Sequence, residues 1–123
     1  MQVALIIYES PRDFDARGGD MTGPYIAAWR TYHREMVNAG VYVGGEPLQP
    51  AATASTVRVK NGERSVHDGP YVETKEVLGG FILLEVPSLD AALGWAARCP
   101  VAKTGAVEVR PIAPAVKESI VRE

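Results

Sequence analysis

Two stretches of the chain, Val3-Ala4-Leu5-Ile6-Ile7-Tyr8 and Phe81-Ile82-Leu83-Leu84, are apolar at every position. Successive strand side chains point to opposite faces, so a strand with no polar alternation has apolar groups to hide on both sides of its sheet. Any fold for this chain must therefore bury two central strands from two directions. At 123 residues the chain fits one domain and can bury a core without disulfides or a structural metal.

The remaining segments fall between these strands. Glu9 to Gly23 holds Pro11, Asp13, Asp15, Gly18, Gly19 and Asp20 and reads as a long loop. Pro24 suits a first helical turn, with Thr22 as the expected cap. Tyr25, Trp29, Tyr32, Met36 and Ala39 form one stripe at helical spacing, ended by Gly40. Val41-Tyr42-Val43 is a short strand, broken by Gly44-Gly45, and Glu46 to Ala54 is loop. Thr56 to Lys60 and Glu63 to His67 flank Asn61-Gly62, the strongest short-range hairpin signal. Gly80 to Val86 is a second central strand. Pro87-Ser88 then starts a helix whose apolar face is Leu89, Ala92, Leu93, Ala96 and Ala97, closed by Pro100. Ala106 to Ile112 alternates as the last strand, which leaves residues 113–123 as a peripheral tail beyond a domain of residues 1–112.

The order is β-α-β, hairpin, β-α-β. Without the hairpin it is a ferredoxin-like split βαβ in the α+β class. Two helices cover only one face of a four-stranded sheet, so the other face needs an apolar partner. A second copy of the chain is the simplest, because a two-fold interface needs one self-complementary patch.

Composition excludes several classes. The net charge is −2 and the basic residues are scattered, which is no footprint for nucleic acid. No segment reaches the ~20 apolar residues of a membrane span, and the apolar run at Val3 is too short for a signal peptide and has no basic lead-in. The cytoplasm is the default location. Cys99 is the only cysteine and reads as a buried small hydrophobe. Two histidines and one cysteine, far apart, make no zinc set. Gly79-Gly80 precedes a strand rather than a helix, so it is no phosphate loop. No cofactor is expected.

The segment His67-Asp68-Gly69-Pro70-Tyr71-Val72-Glu73-Thr74-Lys75-Glu76-Val77-Leu78-Gly79-Gly80 concentrates polar chemistry just before a central strand. Asp, Gly and Pro together make a turn. Loops on a rigid sheet are also where sites lie, so Asp68 is equally a candidate general base or a group that orients a histidine. His67 adjoins Asp68, yet neighbours on a strand face opposite sides. His33, one turn from Trp29 and Val37, is either a packed boundary residue or a catalytic histidine. Lys75 can balance an anionic substrate, and Glu46 falls at a strand end on the pocket rim. Tyr71 is an aromatic candidate for the pocket wall, although it also suits core or interface packing.

Asp68-Gly69-Pro70-Tyr71-Val72-Glu73-Thr74-Lys75-Glu76 with Leu78-Gly79-Gly80-Phe81 resembles the signature of the DGPF branch of the YCII-related proteins, with Tyr71 in place of phenylalanine. Ala39-Gly40-Val41, Gly44 to Pro50, Val57-Arg58-Val59 and Val107 to Pro111 resemble it too, so the likeness spans Met1 to about Ile112. The resemblance implies a dimeric α+β barrel of ferredoxin-like halves and a histidine and an aspartate near a cleft. The superfamily includes a dehydrochlorinase. In shorter YCII proteins the histidine lies early in the first helix; counted back from Gly40, Trp29 stands there and His33 follows one turn later. Gene neighbourhoods in the branch point to alternative sigma factors. The expected function is that of a cofactor-free lyase or isomerase acting on a small molecule, with proton transfer by His33 or His67 together with Asp68. The alternative is a non-catalytic module that senses a ligand or binds a regulatory protein.

Overall fold

The computed structural model describes residues 1–122. Six strands and four helices follow in the order β1 (Gln2–Glu9), α1 (Pro11–Asp15), α2 (Pro24–Asn38), β2 (Tyr42–Pro47), β3 (Ser55–Lys60), β4 (Glu63–Asp68), β5 (Val77–Glu85), α3 (Leu89–Arg98), β6 (Ala106–Pro111) and α4 (Pro114–Val121). Four strands form an antiparallel sheet in the order β2-β5-β1-β6, and β3 and β4 form a separate hairpin. The two fully apolar strands are the central pair of the sheet. Among the described residues no helix is long and apolar enough to cross a membrane.

Alternation fixes which side chains meet the helices. Val3, Leu5 and Ile7 of β1 and Ile82 and Leu84 of β5 are buried with Tyr32 and Met36 of α2 and Ala92 and Ala96 of α3. Burying a side chain of this size contributes about 1.5–3 kcal/mol. The Tyr32 hydroxyl donates to the Trp95 carbonyl at 2.7 Å, and the rings of Trp29, Tyr32 and Trp95 meet edge-on or tilted, which ties α2 to α3. The opposite face carries Ala4 and Ile6 of β1 with Leu83 and Phe81 of β5, all only partly covered. The two central strands are thus apolar on both faces and buried on one.

Several local details differ from the sequence reading. The segment after β1 is not all loop: Ser10 caps α1, its hydroxyl accepting from the Asp13 amide at 3.1 Å. Gly23 rather than Thr22 is the N-cap of α2, because the helix starts at Pro24; the Thr22 amide and hydroxyl both donate to Asp20 instead. These hydrogen bonds hold the Asp20 carboxyl below its usual range. Strand β2 continues through Gly44-Gly45 with a register irregularity between Tyr42 and Gly44. A Cβ on Gly45 would stand 2.5 Å from the Phe81 carbonyl oxygen, and one on Gly80 2.5 Å from that of Glu46, so this pair of glycines lets β2 and β5 come together. On α3 the buried positions are Ala92 and Ala96, followed by Cys99, while Leu89, Leu93 and Ala97 are exposed. Small alanines bring α3 close to the sheet, and the leucines a turn apart point away from it. The tail forms α4, whose residues are exposed.

The hairpin follows its signal closely. Asn61 and Gly62 have φ of 52° and 77°, the double positive φ of a type I′ turn. Val57 pairs with Val66, and Ser55 with Asp68. Every residue of β4 is exposed.

Candidate functional site

The stripe on α2 is unevenly buried. Tyr32 and Met36 are sealed, whereas Tyr25 and Trp29 are only half-covered. The reason is a cavity of about 400 Å³ between the first half of α2 and the sheet. Its walls are largely apolar: Ile7, Ile26, Trp29, Met36, Pro47 and Ile82. Glu9, Arg17, Arg30 and His33 supply polar groups, a pattern typical of small-molecule sites.

Glu9 is the most buried of these polar residues. It continues the buried odd-numbered series of β1 and is 3 % exposed, which is rare for a carboxylate without partners. Tyr25, one turn into α2, donates its hydroxyl to Glu9 Oε2. Arg17, on the turn after α1, brings Nη1 to 3.4 Å from Glu9 Oε1. Burial pushes the Tyr25 phenol up, and the hydrogen bond to Glu9 adds to the shift; Tyr25 therefore stays protonated and remains a donor at neutral pH. The space for the carboxylate exists because residue 79 is glycine. A Cβ there would stand 1.9 Å from Glu9 Oε1. A register shift between Ile7 and Tyr8, opposite Gly79, marks the same point in the β1–β5 ladder.

His33 and Arg30 lie on α2 one turn apart, and both are exposed at the cavity mouth. The His33 ring stands edge-on to Tyr42, 4.7 Å between centroids. Arg30 donates to the Met21 carbonyl at 2.8 Å, which joins α2 to the preceding loop. Glu46 borders the cavity. The register pairs it with Phe81, itself opposite Ile6, so strand alternation turns it toward the face away from the helices.

Of the residues singled out in the sequence, the cavity brings together His33 and Glu46. Asp68 and His67 end β4, outside the cavity lining and exposed. Tyr71 is 71 % exposed, with the Arg58 guanidinium over its ring at 5.7 Å. Lys75 is exposed in the loop before β5. The long polar segment reaches the cavity through its last two residues, Gly79 and Gly80. Sequence reading passed over Glu9 and Arg17 and took Tyr25 for core or interface packing. A signal was present for Glu9: counting Val3, Leu5, Ile7 and then Glu9 puts a carboxylate on the inward face of a buried strand.

A family model for the YCII-related domain matches residues 1–116, and the chain belongs to that family. It is 45% identical over 82 residues to an uncharacterised protein of Rhizobium meliloti (strain 1021). That stretch is 65% of this chain and 66% of the relative, just under two thirds of the relative's own length. In structure the chain is similar to the 5-chloro-2-hydroxyhydroquinone dehydrochlorinase of Burkholderia phenoliruptrix AC1100, solved in complex with 2,5-dihydroxybenzoquinone. The TM-score is 0.51 at 15% identity, over 92% of this chain and 94% of that one. At that identity the likeness speaks for the mixed α+β fold.

Proposed function

We propose that this protein is a proton-transfer lyase or isomerase for a small molecule, working in the cavity beneath α2. The observation that carries the reading is the buried Glu9 carboxylate, held by Tyr25 and Arg17 in the lining of an apolar cavity that also carries the exposed His33. A carboxylate and an imidazole facing one bound molecule are suited to removing a proton at one atom and returning one at another. In an elimination, Glu9 takes the proton, the C–H electron pair becomes a π bond and the leaving group departs with its own pair. In an isomerisation, His33 delivers a proton to the far end of the shifted system. Both chemistries conserve protons and electrons without a redox partner. The dehydrochlorinase of similar fold makes hydroxylated and chlorinated rings the first substrates to try.

The same reading includes a homodimer of ferredoxin-like halves closed into an α+β barrel, with Ala4, Ile6, Phe81 and Leu83 turned toward the second copy. It is supported by the apolar character of that half-covered face and by exposed Val116 and Ile120 on one side of α4. Asp68 and His67 keep a role in this assembly only if pairing brings the hairpin to a cavity mouth.

A second reading, a ligand sensor or regulatory partner-binding module, is favoured by the hairpin, where paired Val57 and Val66 are both more than half exposed. One experiment separates the two. Wild type, Glu9→Gln and His33→Gln are incubated with hydroxylated and chlorinated hydroquinones in D2O, and loss of substrate and deuterium incorporation are followed by NMR. The enzyme reading expects turnover in wild type and a drop of a hundredfold or more in Glu9→Gln, within the range attributed to a positioned acid or base. Turnover that survives Glu9→Gln unchanged sinks it.

A further inference from the structure

We infer that the cavity takes an anion, a single-ring molecule bearing a carboxylate or phenolate oxygen, and that Arg17 is the residue that holds that oxygen. The inference rests on the cavity being the functional site and names the chemical class that enters it.

Arg17 is poorly used by the protein alone. Its Nη1 is shielded from solvent and, among the described residues, is the one buried side-chain nitrogen or oxygen of a non-exposed residue with no hydrogen-bond partner. The 3.4 Å approach to Glu9 Oε1 is an ion contact without hydrogen-bond geometry, and the other carboxylate oxygen accepts from Tyr25. Nη2 reaches only the Gly79 carbonyl, at 3.5 Å. A guanidinium offers five donors in a planar fork matched to two oxygens. Here the fork is held in plane by Phe14, whose ring centre lies 4.1 Å from the guanidinium carbon. A stacked, partly shielded and under-satisfied donor at the edge of an apolar cavity is suited to an incoming oxyanion.

Arg17 and Arg30 both line the cavity; of the two carboxylates that line it with them, Glu9 is engaged by Tyr25, and Glu46 is exposed on the edge strand, paired with Phe81. A cavity of about 400 Å³ suits a single ring, and Ile7, Ile26, Trp29 and Ile82 supply apolar walls for it. An anion that draws the Arg17 fork leaves Glu9 beside the ring with Tyr25 as its partner, so the residue that binds and the residue that moves the proton are set next to each other.

The test is binding, independent of turnover. Calorimetric titration of the full chain with benzoate, salicylate and the neutral isostere benzamide is run on wild type, Arg17→Gln and Arg17→Lys, after circular dichroism has established folding. The expected result is saturable binding of benzoate or salicylate at least tenfold tighter than benzamide. Arg17→Gln should lose that preference, and Arg17→Lys should keep part of it. Equal affinity for benzoate and benzamide, unchanged anion binding in Arg17→Gln, or no saturable binding of either acid at millimolar concentration overturns the assignment. Turnover of a neutral ring with Arg17→Gln fully active would overturn it too, while leaving proton transfer in the cavity intact.

Discussion

Two polar segments of this chain end in opposite surroundings. Residues 67–76, at the end of the hairpin and in the loop beyond it, join a histidine and an aspartate to a run of further polar groups, yet His67, Asp68, Tyr71 and Lys75 are exposed. Residues 9–17 look like an unremarkable loop, yet Glu9 is buried against Tyr25 and Arg17. Density of polar residues along a sequence reports how much of a segment water can solvate. It does not report where a polar group is withdrawn from water, and withdrawal is what gives a charge or a donor its strength.

The largest effect that would sharpen this contrast is at Gly79. Gly79→Val pushes a side chain into the space of the Glu9 carboxylate, and overpacking of this kind costs about 3 kcal/mol. Urea denaturation should register it, and binding in the cavity should fall with it. A variant as stable as wild type would mean that Glu9 has room to leave.

Next comes alkaline stability. Burial pushes the Cys99 thiol up to about 11, and Tyr25 and Tyr32 are raised above their usual value as well. Folded Cys99 holds its proton more tightly than the unfolded chain does, so the unfolded state ionises first. Its contribution is complete below about pH 9 and is lost as pH climbs toward 11. Two pKa units correspond to about 2–3 kcal/mol. Unfolding free energies measured from pH 7 to 11 should fall over that window, and less steeply in Cys99→Ala. A flat profile would say that the packed half is more open than its burial implies.

Glu9→Gln keeps shape and removes charge. It leaves Arg17 without its counter-ion, and because the arginine is partly exposed the cost should be about 1–2 kcal/mol. Asp68→Asn should cost less than about 0.5 kcal/mol, as surface changes usually do. Thermal melts and turnover of the two variants break the comparison directly: a larger loss of activity in Asp68→Asn than in Glu9→Gln would return the site to the hairpin.

The smallest effect is expected at Val57→Ser. On a hairpin in water the change should be worth a few tenths of a kcal/mol. A loss above about 1 kcal/mol that depends on protein concentration would mean that this face is covered by a second copy.

Much of the fold was legible because its causes are local. The apolar runs of β1 and β5, the Asn61-Gly62 turn and the Ser88 cap, whose hydroxyl accepts from the Ala91 amide at 3.1 Å, each act within a few residues. Thr22 misled because the helix begins at Pro24, which makes Gly23 the flanking residue and leaves Thr22 one position too early, folded onto Asp20. Leu89 and Leu93 misled because hydrophobic spacing gives a face but not the direction in which tertiary packing turns it.

The sequence by itself determined the central strands, the hairpin and the two long helices, though not α1 or α4, and that two strands are apolar on both sides. Hydrogen-bond periodicity and side-chain alternation act along the chain, and a reader can count them. Only the tertiary structure decided the site. Arg17 meets Gly79 from 62 residues away, Tyr25 meets Glu9 across a loop, and a missing Cβ on one strand makes room for a carboxylate on its neighbour. Contacts of that range form only when the sheet closes under α2, because their geometry depends on several elements at once.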